Sequence, residues 1–180
     1  MINGFPPKNS ILGQYLSLAM LLAASFLLYY PVMGFGWISG LDEDIIIHNS
    51  LLNPLRGSGI ADMFFGTTAG TYQPMSLISL ALDMTLFPGT PTKGIHFINL
   101  MLHLLNILLF FRIVYMINGK VFISLFVAGL FAFHPLHLNA VAWMSSRGIL
   151  LSSFFMLSLG RHSSMFFSLT PNLSNSSKGK

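Results

Sequence analysis

The sequence predicts an all-α polytopic membrane protein. Three observations carry that expectation. Charged residues make up 8% of the 180-residue chain and hydrophobic ones 53%, whereas a soluble domain needs about 25% charged residues to cover its surface. Mean hydropathy is +0.70. The stretch Ile11 to Val32 runs about twenty residues without a charge, enough for a helix across a hydrocarbon core of about 30 Å. Lipid is the solvent that such a chain matches.

The remaining composition excludes several functions. Net charge is +4, and the nine Lys and Arg residues are scattered from Lys8 to Lys180 without forming a basic stripe. Nucleic acid is therefore not an expected partner. The absence of cysteine rules out disulfides and thiolate metal sites. All five acidic residues, Asp42, Glu43, Asp44, Asp62 and Asp83, lie in the polar segment Gly34 to Gly94 between the first two apolar runs. No apolar run carries an acid, the usual mark of a coupled ion path, which argues against a channel or transporter. The chemistry of the chain is expected in the acidic loop.

Each element then follows in order. Ile11 to Val32 is too long for a signal peptide and lacks a small-residue exit site, so it is expected to stay as the first span. In the loop, Asp42 to Leu52 carries Ile45, Ile46, Ile47, Leu51 and Leu52 and predicts a short interfacial helix. Asn53-Pro54 and Gly57-Ser58-Gly59 read as turns, and Gly66 to Tyr72 as a flexible loop. Gln73-Pro74 opens a second amphipathic piece, Met75 to Phe87, in which Asp83 is expected to face water or a partner. The second span, 95–117, carries His96, Asn99, His103 and Asn106 within an arc of roughly 80°. Such a stripe must face protein or water, because polar groups facing lipid go unsatisfied. For His103 and Asn106 the plain expectation is interhelical hydrogen bonding. His96 and Asn99, nearer the acidic loop, point to a site. A metal between His96 and His103 is disfavoured, since seven residues separate them by two helical turns.

Asn118-Gly119-Lys120 predicts a tight turn. Val121 to Phe133 is about 13 residues, near 20 Å as a helix and short for a hydrocarbon core. His134-Pro135 is expected to break it, because proline disfavours helical angles in the residue before it. The third span is thus set at 121–136 and a short fourth at 148–159. Residues 1–160 form one membrane domain with an outer loop over 34–94, and 161–180 form a polar tail expected to be disordered. Lys8, Arg112, Lys120 and Arg161 fall on one side if the spans alternate, which fits the cytoplasmic face and places the acidic loop opposite.

The acidic turn with Asn49, the string Tyr72-Gln73-Pro74-Met75, His96-x-x-Asn99-x-x-x-His103, Phe133-His134-Pro135-Leu136-His137 and Val141-Ala142-Trp143-Met144-Ser145-Ser146-Arg147 occur in a recognisable order. From about Gly34 to Leu159 the chain resembles the N-terminal membrane part of the tetratricopeptide-containing, O-mannosyltransferase-like proteins of the GT-C glycosyltransferase fold. The resemblance implies a multipass enzyme of an inner, plasma or endoplasmic reticulum membrane. It would move a sugar from a polyprenyl-phosphate donor to a protein Ser or Thr on the outer face. The catalytic base maps onto Asp42, Glu43 or Asp44, with Asp42 the first choice and Glu43 the second. Tyr72, Gln73, His96, Asn99, His134, His137 and Arg147 are the expected donor and substrate contacts. A divalent metal requirement is left open.

Three departures from the family pattern remove charge or chain. Gln73 stands where the family usually has Arg, and Asn139 where it has Glu. Arg147-Gly148-Ile149 replaces Arg-Lys-Asp. The further spans and the helical repeat domain are not among these 180 residues, so the sequence reads as the front of a longer architecture. The alternative is a non-catalytic membrane subunit or remnant whose loop binds a larger membrane partner.

Overall fold

The structure, a computed structural model, describes residues 8–37, 40, 42–52, 57–68 and 70–169. It is built of helices. α1 (Lys8–Tyr29) tightens into a 3₁₀ turn, Tyr30–Gly34, with Pro31 in its first turn. α4 (Pro91–Asn118) opens with Pro91 in its first turn, where no intrahelical N–H is needed. It closes on Gly119, whose φ of 66° lies in the left-handed region that a side chain would penalise. The stretch Leu12–Gly34 and α4 are each long and apolar enough to cross a membrane.

The Asn118 side chain accepts the Lys120 N–H at 2.6 Å and sets the expected tight turn. α5 (Val121–Ala132) follows at once and stops near 18 Å of rise, at about 1.5 Å per residue. A 62° bend across His134-Pro135 leads to α6 (Leu136–Ala142), and the bent pair makes a third candidate span. α7 (Arg147–Leu169) completes the bundle. It runs past Leu159, where the sequence placed the end of the fourth span and the start of a tail. Gly160-Arg161-His162 marked that end, but a single glycine costs a helix only about 1 kcal/mol and the helix continues through it. The rest of the expected tail, Thr170–Lys180, lies outside the described residues.

The loop between the first two candidate spans differs from its expectation in two places. The interfacial helix over 42–52 is instead one wide π-type turn, Glu43–Ile47, followed by a 3₁₀ turn, Ser50–Leu52. Asn49 divides them. Its amide donates to the Ile45 carbonyl at 3.1 Å and its oxygen accepts the Leu51 N–H at 3.0 Å, replacing the helical ladder. Gly57-Ser58-Gly59 begins a helix, α2 (Gly57–Phe65), rather than a turn. Burial of Met63 in the loop core overrides the local glycines. α3 (Pro74–Leu86) opens at the expected proline. Ile45, Ile46, Leu52, Met63, Leu77, Leu80, Ala81, Ile95 and Met144 then form one apolar cluster, so the loop has a core that includes the start of α4 and the turn before α7.

Deeper down, Leu18, Phe111 and Ala128 join α1, α4 and α5. Ala128, Ala132, Ser25 and Ser124 are buried, and such small residues let helices approach closely without a water-driven hydrophobic force between them. Arg147 meets Asn99, and Leu150 meets Asn106, in the same order along both helices. α4 and α7 therefore run parallel.

Candidate functional site

The polar stripe of α4 lies entirely inside the protein: His96, Asn99, His103 and Asn106 are all buried. Three of the four bond to carbonyls of neighbouring helices, two of them where a helix ends. Asn99 donates towards the carbonyls of Val141 and Trp143, at 3.4 and 3.3 Å, at the C-terminus of α6. His103 Nε2 meets the Ala132 carbonyl at 3.3 Å, where α5 stops, and the Tyr29 hydroxyl donates to the same oxygen at 3.1 Å. Asn106 donates to the Leu150 carbonyl at 3.0 Å. A helix terminus leaves four carbonyls without intrahelical partners, and in lipid water cannot supply the missing donors. The interhelical bonding expected of His103 and Asn106 is found, and Asn99 shares it.

Arg147 is 0% exposed, and its guanidinium is committed internally. Nε donates to Asn99 Oδ1 at 2.6 Å, Nη1 to Ser79 Oγ at 2.7 Å, and Nη2 to Asp83 Oδ2 at 2.5 Å and the Ile95 carbonyl at 3.1 Å. Ser79 and Asp83 sit one turn apart on α3, so one face of that helix meets the start of α7. Burial pushes the Asp83 carboxyl above the ordinary carboxylate range, while the charge and hydrogen bond of Arg147 pull it back. Asp83 thus faces a partner rather than water. The geometry gives Arg147 and Asn99 the task of locking α3, α4 and α7 together, with both side chains buried and four of the five guanidinium N–H groups engaged. The signal that could have found this lock was the acid at Asp83 in an otherwise apolar helical face, which demands a cation from elsewhere in the chain.

Asp42 is 1% exposed. Its Oδ1 accepts the Ser145 N–H at 3.0 Å, joining the acidic turn to the 3₁₀ turn Met144–Ser146 that precedes α7. Glu43 is half-buried in the same turn and Asp44 is exposed. Beside this junction lies a notch of about 280 Å³ lined by Ile45, Thr71, Gln73, Trp143, Ser145, Ser146, Gly148 and Ile149. A second, apolar groove of about 390 Å³ runs between Tyr72, Met75, Leu151 and Phe155. Gln73 and Gly148 belong to both, so the notch and the groove adjoin. Gly148 leaves room for that junction: a Cβ there would stand 3.3 Å from Gln73 Oε1.

His134 and His137 are not part of this place. His137 stacks at 5.2 Å from His103, two turns along α4 from His96, and lies 4.3 Å from the Phe131 ring. His134 is exposed, and its Nδ1 accepts the Leu136 N–H at 3.3 Å. It edges a different, apolar groove of about 630 Å³ between α1 and α5. The residues expected to converge therefore divide into two groups. Asp42 and Glu43 share the acidic turn that reaches Ser145, Tyr72 and Gln73 line the adjoining groove and notch, and His96 is buried on α4, whereas His134 and His137 lie at the break between α5 and α6. Ser145, Ser146 and Thr71 line the notch without having been singled out by sequence. Among the described residues, no group of three or more His, Asp or Glu side chains could hold a metal ion.

The chain is similar to a protein of Drosophila melanogaster named protein O-mannosyl-transferase Tmtc2, with 29% identity over 132 residues. That stretch covers 68% of this chain and 14% of the relative's length. No family model matches the chain, and no solved structure matches it.

Proposed function

We propose that this chain is a glycosyltransferase-like membrane protein of the GT-C kind, which transfers a sugar from a polyprenyl-phosphate carrier to a protein hydroxyl at its outer loop. One observation carries the reading: Asp42 is pinned to Ser145 on the wall of a small notch that also holds Thr71, Gln73 and Ser146 and adjoins an apolar groove. A lipid-linked sugar has those two parts, a polar head and a long hydrocarbon chain. In this reading the head group lies in the notch among Gln73, Ser146 and Thr71. The first isoprene units lie along Leu151, Phe155 and Met75. Asp42 takes the proton of the acceptor hydroxyl while the acceptor oxygen bonds to the sugar carbon and the phosphate departs with its electron pair. Glu43 is the second choice for the base. The similarity to a protein named as an O-mannosyl-transferase supports the reaction class, and the excess of Lys and Arg on the opposite side supports a non-cytoplasmic loop.

A second reading is favoured by the internal commitment of Arg147, which leaves the notch without that cation. Here the chain is a non-catalytic membrane subunit whose loop docks a larger membrane protein. Transfer from a polyprenyl-phosphate sugar to an acceptor peptide, measured for wild type, Asp42→Asn and Glu43→Gln in detergent, separates the two. Loss of transfer in Asp42→Asn supports the enzyme. Equal transfer by all three proteins removes the assignment of the base. No transfer by wild type, together with a stoichiometric complex with a larger membrane protein, supports the subunit.

A further inference from the structure

The groove beside the notch has two walls. One is a face of α7 made by Gly148, Leu151, Ser152 and Phe155, residues spaced by three and four, and the other is the consecutive run Tyr72 to Ser76. That run is the opening of α3, so the groove begins where a helix presents its N-terminal N–H groups. Pro74 has no N–H to satisfy, and the Leu77 N–H donates to the Gln73 carbonyl at 3.1 Å. The N–H groups of Met75 and Ser76 lie between these two, and Gln73 makes no side-chain cap. Ser76 is 2% exposed, and its Oγ has no hydrogen-bond partner although the residue sits on the groove wall. Ser152, on the other wall, spends its hydroxyl on the Ile149 carbonyl at 3.0 Å. Buried polar groups are nearly always bonded, so an unspent hydroxyl on the wall of a groove points to a ligand. Ser76 Oγ and Gln73 Oε1 border the space that Gly148 leaves, 4.0 and 3.3 Å from the position a Cβ would take. A half-turn of the Gln73 amide presents its NH2 to that space instead. Among the described residues, neither the groove nor the notch is lined by a Lys, Arg or His. An anion held here is held by neutral donors.

We propose that the first turn of α3, with Ser76 and the gap at Gly148, is the phosphate site for an isoprenoid phosphate. The N–H groups of Met75 and Ser76, the Ser76 hydroxyl and the Gln73 amide hold the phosphate. The sugar extends from it into the notch, and the hydrocarbon lies along Leu151 and Phe155 of α7. The inference deepens the transferase reading and rests on it for the identity of the carrier. A helix N-terminus favours a negative group twice over, through its dipole and through its unpaired N–H donors. During transfer the acceptor oxygen bonds to the sugar carbon and gives its proton to Asp42. The bond from that carbon to the phosphate oxygen breaks, and its electron pair stays on that oxygen. A phosphodiester thereby becomes a monoester with one further negative charge, beside donors already in place. Nothing is oxidised or reduced. The site supplies without a cation what the guanidinium of Arg147, committed to Asp83, does not bring to the groove.

The test has two arms. In the first, backbone ¹H–¹⁵N spectra of the whole chain in maltoside micelles are followed as farnesyl phosphate, farnesol or dihexanoyl phosphatidic acid is added. Farnesyl phosphate should shift the Met75 and Ser76 amides, and farnesol should leave them in place. Ser76→Ala and Gly148→Ala should each weaken farnesyl phosphate binding about tenfold, the loss of one hydrogen bond to a charged group, while melting no lower than wild type. Unmoved amides, or an equal response to farnesol, overturn the site. Unchanged binding by both variants does so too. An equal response to phosphatidic acid makes membrane phospholipid the source of the phosphate and overturns the isoprenoid carrier. In the second arm, transfer from a polyprenyl-phosphate sugar is measured for the same three proteins. The expected result is a fall of about tenfold in kcat/KM for the donor in each variant, with KM for the acceptor unchanged. An active wild type whose two amides ignore farnesyl phosphate overturns the site and leaves the transferase reading standing. A wild type that transfers nothing while farnesyl phosphate moves both amides keeps the site and overturns the transferase reading.

Discussion

The carboxylate of Asp42 and the backbone N–H of Ser145 meet at 3.0 Å across 103 residues of chain, so the acidic loop is fastened to the turn that launches α7. That contact gives the fold an acceptor at the same side chain that the proposed transfer would use as its base.

The two can be separated by substitution. Asp42→Asn keeps an oxygen for the Ser145 N–H but cannot take a proton, so it should fold like wild type and lose transfer by about 10²–10⁴-fold. Asp42→Ala should lose about 1–3 kcal/mol of stability as well, because the N–H is left unpaired in a buried place. Detergent thermal unfolding beside a transfer assay checks both. Equal melting of the two variants would show that the contact does not hold the loop.

The Arg147 lock should behave as a buried ion pair. Asp83→Asn or Arg147→Met alone should destabilise by about 3–5 kcal/mol, since each strands a buried charge, whereas replacing both with Leu and Met should recover most of that loss. Chemical denaturation in mixed micelles reads the cycle. Additive losses in the double variant would mean that the pair is not the unit described.

Tyr29 and His103 share one acceptor, the Ala132 carbonyl. Tyr29→Phe or His103→Phe alone should therefore cost little, about 0.6 kcal/mol, since the other donor remains. The double variant should cost more than the sum, because the carbonyl at the end of α5 is then without a donor. Unfolding free energies of the three proteins measure the coupling.

Gly94 lies against the ring of Phe87, and a Cβ there would overlap that ring. Gly94→Ala should force Phe87 out and destabilise the α3–α4 corner by about 1–3 kcal/mol, despite alanine's better helix propensity. Phe87→Ala in the same background should restore part of the loss. Melting temperatures of the single and double variants decide it.

Much of the scaffold was legible in the sequence because its signals are local. Charge-free length marked α1, a long apolar run marked α4, Pro74 marked the start of α3, and His134-Pro135 marked the break after α5. The arc of His96, Asn99, His103 and Asn106 marked an inward face. What stayed hidden depends on pairings distant in sequence. Asp83 and Arg147 are 64 residues apart, and nothing in either neighbourhood says that the guanidinium is taken. α2 was hidden for the opposite reason: its glycines speak for a turn, and the burial of Met63 in the loop core outweighs them. The family pattern placed His134 and His137 with the carboxylates. The bend sends them instead towards His103, because α6 leaves α5 at 62°.

The early stop of α5 bears on how the chain is made. A helix of 12 residues that ends at a polar kink is a poor candidate to enter a bilayer alone. Its terminal carbonyl finds donors on α1 and α4, both of which precede it in sequence. Synthesis from the N-terminus therefore delivers the donors before the acceptor, and the tight turn at Gly119 holds α5 against α4 as it emerges. Membrane entry of the bent pair, the third candidate span, would in this way be assisted by α1 and α4, and a chain deprived of α1 should leave α5 outside the membrane.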